Sequence, residues 1–238
     1  AILLYGTDMA TQMTRDRFQL QTKYRTIPGC VGKYQFGEYE VTIAEIQEII
    51  VGSKDLSFED YKSCRMMDLL IETFVNQGLF KEVFSSLKMM DIETFDCLLY
   101  MHEHQEIFTP KAKIIINNFI ELTVNDLFDS VDEIKQFILK PGSVEKYYNG
   151  ELGINELIEC KTQLYLEIED LSEILFRVIR VILLENGSTS DHILKYYRQL
   201  LNFIVCRKKN FYKYDEKYVE LFNFDFKTID KENYELEP

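Results

Sequence analysis

The chain has 238 residues, 46% hydrophobic and 28% charged, the balance of a folded globular protein rather than a disordered one. Forty acidic residues against 27 basic ones leave a net charge of −13, which disfavours nucleic acid as a partner because a phosphate polymer is repelled on average. Five cysteines, at 30, 64, 97, 160 and 206, are too irregularly spaced for a disulfide framework or a zinc site and suit a reducing cytoplasm.

Residues 2–52 have mixed, strand-rich character. Ile2–Tyr5 is a short apolar run stopped by Gly6, and Asp8–Phe18 has the composition of a helix. Tyr24–Ile27 is extended, Pro28-Gly29 supplies a turn, and Phe36-Gly37-Glu38-Tyr39 fits a hairpin turn. Glu45–Val51 gives β-branched residues ahead of Gly52. A small sheet of two or three strands is expected. The chain opens without Met on an apolar run, where natural starts are usually polar, so a piece of a longer protein is expected.

From Ser57 the period becomes helical. Ser57 and Asp60 form a capping box, and Tyr61, Cys64, Met67, Ile71 and Phe74 line one face, with Gly78 as the cap. Helices follow at about 80–89 and 92–107. Thr109-Pro110 is a strong start signal, Ser130 with Glu133 offers another box, and Pro141-Gly142 breaks the chain. One long helix is expected from about Asn155 to Glu185, with a seam of Leu164, Ile168, Leu171, Leu175, Val178 and Ile182 at heptad spacing. Asn186-Gly187 ends it. The next helix begins at Ser188 and Asp191, and Leu194, Tyr197, Leu201 and Ile204 repeat the seam, giving an antiparallel hairpin. The seams suit internal bundle packing or, if exposed, homo-oligomer contacts. No apolar run reaches the roughly 18 residues of a membrane span, and Arg177 and Arg180 interrupt Ile174–Leu184, so no membrane partner is expected. Phe222, Phe224 and Phe226 alternate as in a strand. The fold class is therefore mainly α, a multi-helix bundle with a small N-terminal β element. The expected division is 1–52 as an α+β segment, 53–222 as the helical bundle and 223–238 as an acidic, partly disordered tail.

Chemistry-bearing motifs are sparse. His102-Glu103-His104 with Glu106 is the most ligand-like cluster, but residues two apart point to different sides of a helix, so a solvated helix end is the plainer reading. His192, beside Asp191, suits a helix start better than a catalytic triad. No GxSxG, GxxxxGK or GxGxxG occurs. Arg207-Lys208-Lys209, with Lys213 and Lys217, reads as a solvated helix end that suits the helix dipole. The aromatic residues of Arg207–Tyr218, with Phe211, Tyr212, Tyr214 and Tyr218, fit core packing better than base stacking. No residue is assigned as catalytic or as a metal ligand.

One stretch carries a pattern beyond composition. Leu4-Tyr5-Gly6-Thr7-Asp8-Met9, Thr22–Pro28, Gly32–Gly37, Glu48–Val51 and Leu56–Tyr61 together resemble the segment that follows the barrel in radical S-adenosylmethionine proteins, in the subgroup that also carries a cobalamin-binding domain. The similarity covers roughly residues 3–78. Gly6-Thr7 matches the end of a proline-Gly-Thr turn, with Tyr5 in place of the proline. The resemblance implies a parent enzyme that uses S-adenosylmethionine, a [4Fe–4S] cluster and cobalamin, with the cluster held upstream by a CxxxCxxC loop that this chain lacks and the cobalamin pocket also upstream. It implies a non-catalytic C-terminal accessory domain that caps the barrel, shapes substrate access or docks a partner. The upstream barrel of the same chain would be its first partner. Gly6, Thr7, Asp8 and Arg25 are the implied substrate-side contacts in the intact enzyme. The alternative is a helical protein–protein interaction module outside any enzyme.

Overall fold

A computed structural model describes residues 1–209 and 219–232. The aromatic and basic residues Phe211, Tyr212, Lys213, Tyr214, Lys217 and Tyr218, and the end of the expected tail, lie outside the described residues. The fold is mainly helical with a small antiparallel sheet near the N-terminus. The described chain packs as two compact units, one built from residues 1–66 and 118–159, the other from 67–117 and the described residues from 160 onward.

The first unit is organised by a three-stranded sheet in the order β1-β3-β2, where β1 is Ile2–Leu3, β2 is Gln21–Phe36 and β3 is Tyr39–Gly52. The turn at Gly37, whose φ of 62° is costly for any residue with a Cβ, joins β2 to β3 as a long hairpin. Pro28-Gly29 does not reverse the chain. Register runs from Thr26↔Ile46 to Val31↔Ala44, so residues 27–30 of β2 pass against Glu45 alone. This is a bulge, the usual way an extra length of strand is absorbed without ending the ladder. Between β1 and β2 lie a 3₁₀ turn (Asp8–Ala10) and helix α1 (Gln12–Phe18), so the helix expected over Asp8–Phe18 is split at Thr11, which caps α1.

One face of the hairpin is covered. Helices α6 (Val131–Ile138) and α7 (Ser143–Tyr148) place Ile134, Ile138 and Val144 against Val31, with Tyr24, Ala44, Ile46, Phe128 and Phe137 packed around them. Ser130 caps α6 as expected, accepting from the Glu133 N–H at 3.1 Å, while the Glu133 carboxylate accepts from Asp129 rather than completing a box on Ser130.

Helix α2 (Phe58–Ile71) starts on the predicted box: Asp60 N–H donates to Ser57 Oγ at 3.1 Å and Ser57 N–H to Asp60 Oδ2 at 2.8 Å. The buried stripe of α2 and the turn after it is Met66, Leu69, Leu70, Thr73 and Phe74; of the expected face Phe74 is buried, Tyr61, Met67 and Ile71 are partly buried, and Cys64 is exposed. The apolar residues on both sides of the helix make either stripe readable from sequence; packing selects one. A turn of π-helix (Glu72–Asn76) then leads to Gly78, at φ 62°.

The second unit is helical. It holds α3 (Lys81–Lys88), α4 (Thr94–Glu103), a 3₁₀ turn at Gln105–Ile107 and the start of α5 (Pro110–Asn125), capped by Thr109, whose Oγ1 accepts from the Ala112 N–H at 3.2 Å. The single helix expected over 155–185 is two: α8 (Glu156–Leu166) and α9 (Ile168–Glu185), interrupted at Glu167. Neither Pro nor Gly marks the break, and the apolar seam crosses it without a change of phase. Leu164, Ile168, Leu171, Leu175, Val178 and Ile182 are all buried. Helix α10 (Asp191–Lys208) is capped by Ser190 rather than Ser188 or Asp191 and packs on α9. Tyr197, Leu201 and Ile204 are buried there; Leu194 is only partly so. Phe222–Phe226 does not form a strand. Its rings gather with Tyr196 and Phe203 at centroid separations of 5.1–5.9 Å, and α11 (Phe226–Lys231) begins at the last of them. Among the described residues, no helix is long and apolar enough to cross a membrane.

Candidate functional surface on the N-terminal sheet

The chemistry of the first unit is concentrated on its sheet, in two buried ionic nodes and one open face. The first node is Glu48 on β3, whose side chain is 1% exposed. Arg15 of α1 reaches it as a fork, Nη1 to Oε1 at 2.6 Å and Nη2 to Oε2 at 2.7 Å, while Arg15 Nε donates to the Ala10 carbonyl at 3.1 Å. Tyr5 Oη donates to Glu48 Oε2 at 3.1 Å. The hydrogen bonds from Arg15 hold the Glu48 carboxyl down at about 2 against the opposing effect of burial. Burial, with the neighbouring carboxylate, pushes the Tyr5 and Tyr24 phenols up. A carboxylate so fixed is ionised at neutral pH with both oxygens accepting, so it does not act as a proton donor or acceptor there. Its role is mechanical. Helix α1 has no buried residue of its own; this fork, with the bond from the Lys54 N–H to the Phe18 carbonyl at 3.0 Å, ties it to the sheet.

The second node joins β2, α2 and α8. Arg25 Nη1 and Arg65 Nη2 both donate to Glu156 Oε1, at 3.1 and 3.0 Å. Glu156 is the first residue of α8, where the helix dipole favours an anion. The Gln47 amide, turned with its oxygen toward Arg25, accepts from Nε at 2.6 Å and Nη2 at 3.2 Å. The Arg65 guanidinium lies over the Phe119 ring, 5.2 Å from its centroid. Asp126 accepts from the Gly153 N–H at 3.1 Å, and burial pushes its carboxyl up. Two guanidiniums on one carboxylate oxygen form a brace rather than a nucleophile–base pair, because none of these groups is a nucleophile.

These nodes decide where the sequence-derived contact residues stand. Gly6, at φ 89°, opens an exposed turn in which Thr7 N–H and Oγ1 both donate to the Leu4 carbonyl, at 3.2 and 2.7 Å, and Thr11 returns a bond to the Asp8 carbonyl. Arg25 is half-buried against Glu156 and Gln47. Among the described residues no hydrogen bond links Thr7 or Asp8 to Arg25. Gly6, Thr7 and Asp8 face solvent together; Arg25 is engaged in the brace.

The open face is at the far end of the hairpin. Register pairs Phe36 with Tyr39, Tyr34 with Val41 and Gly32 with Ile43, and paired residues share a face. Tyr34, Phe36, Tyr39, Val41 and Ile43 thus form one apolar row, exposed at 51%, 58%, 76%, 42% and 41%. The opposite row, Lys33, Gln35, Glu40 and Thr42, lies on the side of α7, where Lys33 Nζ pairs with Glu145 at 3.0 Å and Lys33 N–H donates to Tyr148 Oη at 2.7 Å. The signal for this face was present in sequence as period-two alternation of large apolar residues. Read locally, Phe36 and Tyr39 are turn residues and Val41 and Ile43 fall outside the strand-like run at Glu45–Val51, so the row is not seen as one face.

The remaining candidates are structural. His104 Nδ1 lies 3.2 Å from Glu106 Oε1 and its ring stacks on Tyr100, an exposed helix end, and among the described residues no group of three His, Cys, Asp or Glu is arranged to hold a metal. His192 meets Phe224 edge-on. The basic run is not simply solvated. Lys208 Nζ caps the Gly78 and Leu79 carbonyls at 3.3 and 2.5 Å and pairs with buried Glu82, while Arg207 reaches Asp230 at 3.6 Å. An open groove of about 410 Å³ between α9 and α10 is lined by Glu169, Glu173, Arg198, Asn202 and Lys209. Its charges pair with one another, Arg198 with Glu173 at 2.5 Å and Lys209 with Glu169 at 3.8 Å. Of the five thiols, Cys97 and Cys160 are buried and Cys64 is exposed, and burial pushes the Cys97 thiol up to about 12. Comparison with protein-family models, curated proteins and solved structures finds no match to this chain.

Proposed function

We propose that this chain is a non-catalytic accessory domain that follows the barrel of a radical S-adenosylmethionine enzyme and acts by docking against it. The residues that carry the resemblance support the reading because they are not scattered. They make up the N-terminal arm, both strands of the hairpin and the cap of α2, all within the first unit. The observation that carries it furthest is the arm itself: residues 4–20 bury little of their own apolar surface, yet the Glu48–Arg15–Tyr5 node holds them in place. Such an arm presents Gly6, Thr7 and Asp8 on a fixed turn, as a domain that shapes an entrance requires. The [4Fe–4S] cluster, S-adenosylmethionine and cobalamin belong, on this reading, to the upstream part. No chemical step is assigned to this chain.

The test is the natural gene product. Its reading frame is expected to contain a CxxxCxxC loop upstream of Ile2. The reconstituted protein is expected to show the electron paramagnetic resonance signal of a reduced [4Fe–4S] cluster, unchanged when Cys30, Cys64, Cys97, Cys160 and Cys206 are replaced by Ser. A gene product with no such loop and no cluster removes the reading.

A further inference from the structure

We propose that the open face of the β2–β3 hairpin docks an amphipathic segment whose apolar side chains are flanked by Lys or Arg. This rests on the docking role proposed above and names its chemistry. Single exposed apolar residues are ordinary on protein surfaces. Five on one face of one hairpin, in register and with no charged residue among them from Gly32 to Ile43, form a contiguous patch of the kind that marks an interaction site. The patch is held firmly. Val31, Ala44 and Ile46 anchor the opposite face on α6 and α7, and Tyr148 and Glu145 fasten Lys33. The open face is therefore pre-organised for a partner.

The border of the patch sets the charge of what covers it. Glu38, Glu40 and Glu45 are exposed along the turn and the first half of β3. Glu38 and Glu45 have no ion-pair partner among the described residues. The one cation of the hairpin tip, Lys33, is taken by Glu145 and lies 3.9 Å from Glu40. An incoming segment with basic flanks meets two carboxylates, Glu38 and Glu45, that lack a counter-charge among the described residues; an acidic one meets repulsion. The same carboxylates work against a second copy of this chain. β1 pairs with β3 at Glu48 and Ile49, and no other strand among the described residues pairs with the edge of β3 from Tyr39 to Gln47. Two such edges would set glutamates against glutamates, a known guard against self-pairing.

The inference is tested on the 238-residue chain with two synthetic amphipathic peptides of the same pattern, one of Leu and Lys, the other of Leu and Glu, by fluorescence anisotropy. The Lys peptide is expected to bind at least about tenfold more tightly than the Glu peptide. The double variant Phe36→Ser, Val41→Ser is expected to lose at least about tenfold of that affinity while its circular dichroism and unfolding midpoint stay unchanged. Equal binding of the two peptides, undiminished binding by the double variant, or a dimer of the wild type alone that the double variant dissolves would overturn the inference. In the natural gene product, a photo-cross-linking residue at position 41 locates the partner. Attachment to a basic-flanked apolar segment supports the inference, and attachment to an acidic segment or a second copy contradicts it. The cluster measurement above is independent, so the docking chemistry and the enzyme context can fail separately.

Discussion

The two units use the same apolar residue types in opposite ways. In the helical unit the seams of α9 and α10 lie inside: Leu171, Leu175, Val178, Ile179, Leu200 and Leu201 are at most 1% exposed. In the sheet unit the row Tyr34, Phe36, Tyr39, Val41 and Ile43 lies outside, and the buried positions nearby include ionic groups, Glu48 and Glu156. An apolar pattern in a sequence is therefore not by itself a statement about core. What distinguishes the two here is whether the described residues supply the opposing surface.

The comparison breaks most severely if the seam is not a core. Leu175→Ala removes a fully buried side chain and is expected to cost about 4 kcal/mol in denaturant unfolding, because lost transfer energy and a residual cavity add. A loss of the size seen at exposed sites would mean that α9 is not packed as described. Next is Glu156→Ala, which strips the shared acceptor from Arg25 and Arg65. Both guanidiniums are about one-fifth exposed, so an expected cost of about 3 kcal/mol stands at the lower end for a broken buried pair. The Gln variant, which keeps an acceptor, is expected to lose less. The third test is pH. The Glu48 carboxyl is depressed in the folded chain from 4.5 to about 2. Its contribution is thus complete above the unfolded value and disappears as pH falls through 4.5 toward 2. The expected loss is about 3 kcal/mol over that window, and Glu48→Gln should flatten that part of the stability profile. Gly153→Ala follows, at about 2 kcal/mol: φ is 64°, and a Cβ would stand 2.6 Å from the Tyr147 ring. The smallest effect closes the comparison. Val41→Ala on the open face is expected to change stability by no more than about 0.5 kcal/mol, although Val41 and Leu175 would look alike in any hydropathy plot.

The fold class and many helix boundaries were legible because capping is local. Ser57 with Asp60, Thr109 with Pro110, and Gly78 each announce themselves within four residues. What is set by distant partners was not legible. The break at Glu167 leaves the heptad phase intact, so the seam hides it. Pro28-Gly29 reads as a turn locally and becomes a bulge only because β3 pairs on both sides of it. The alternation of Phe222, Phe224 and Phe226 is real, yet rings on α10 draw those residues into an aromatic cluster instead of a ladder. The nodes are the extreme case. Arg25 meets Glu156 across 131 positions and Arg15 meets Glu48 across 33; among forty acidic residues nothing in the sequence marks these two as buried.

Hydroxyl-radical footprinting of the 238-residue chain alone, and of the natural gene product that contains it, tests the contrast between the units most directly. Tyr34, Phe36 and Tyr39 are expected to be labelled rapidly in the chain alone and at least about tenfold more slowly in the natural product, while Tyr196 and Tyr197 of α10 are slow in both. Equal labelling of the hairpin tip in the two samples would contradict it.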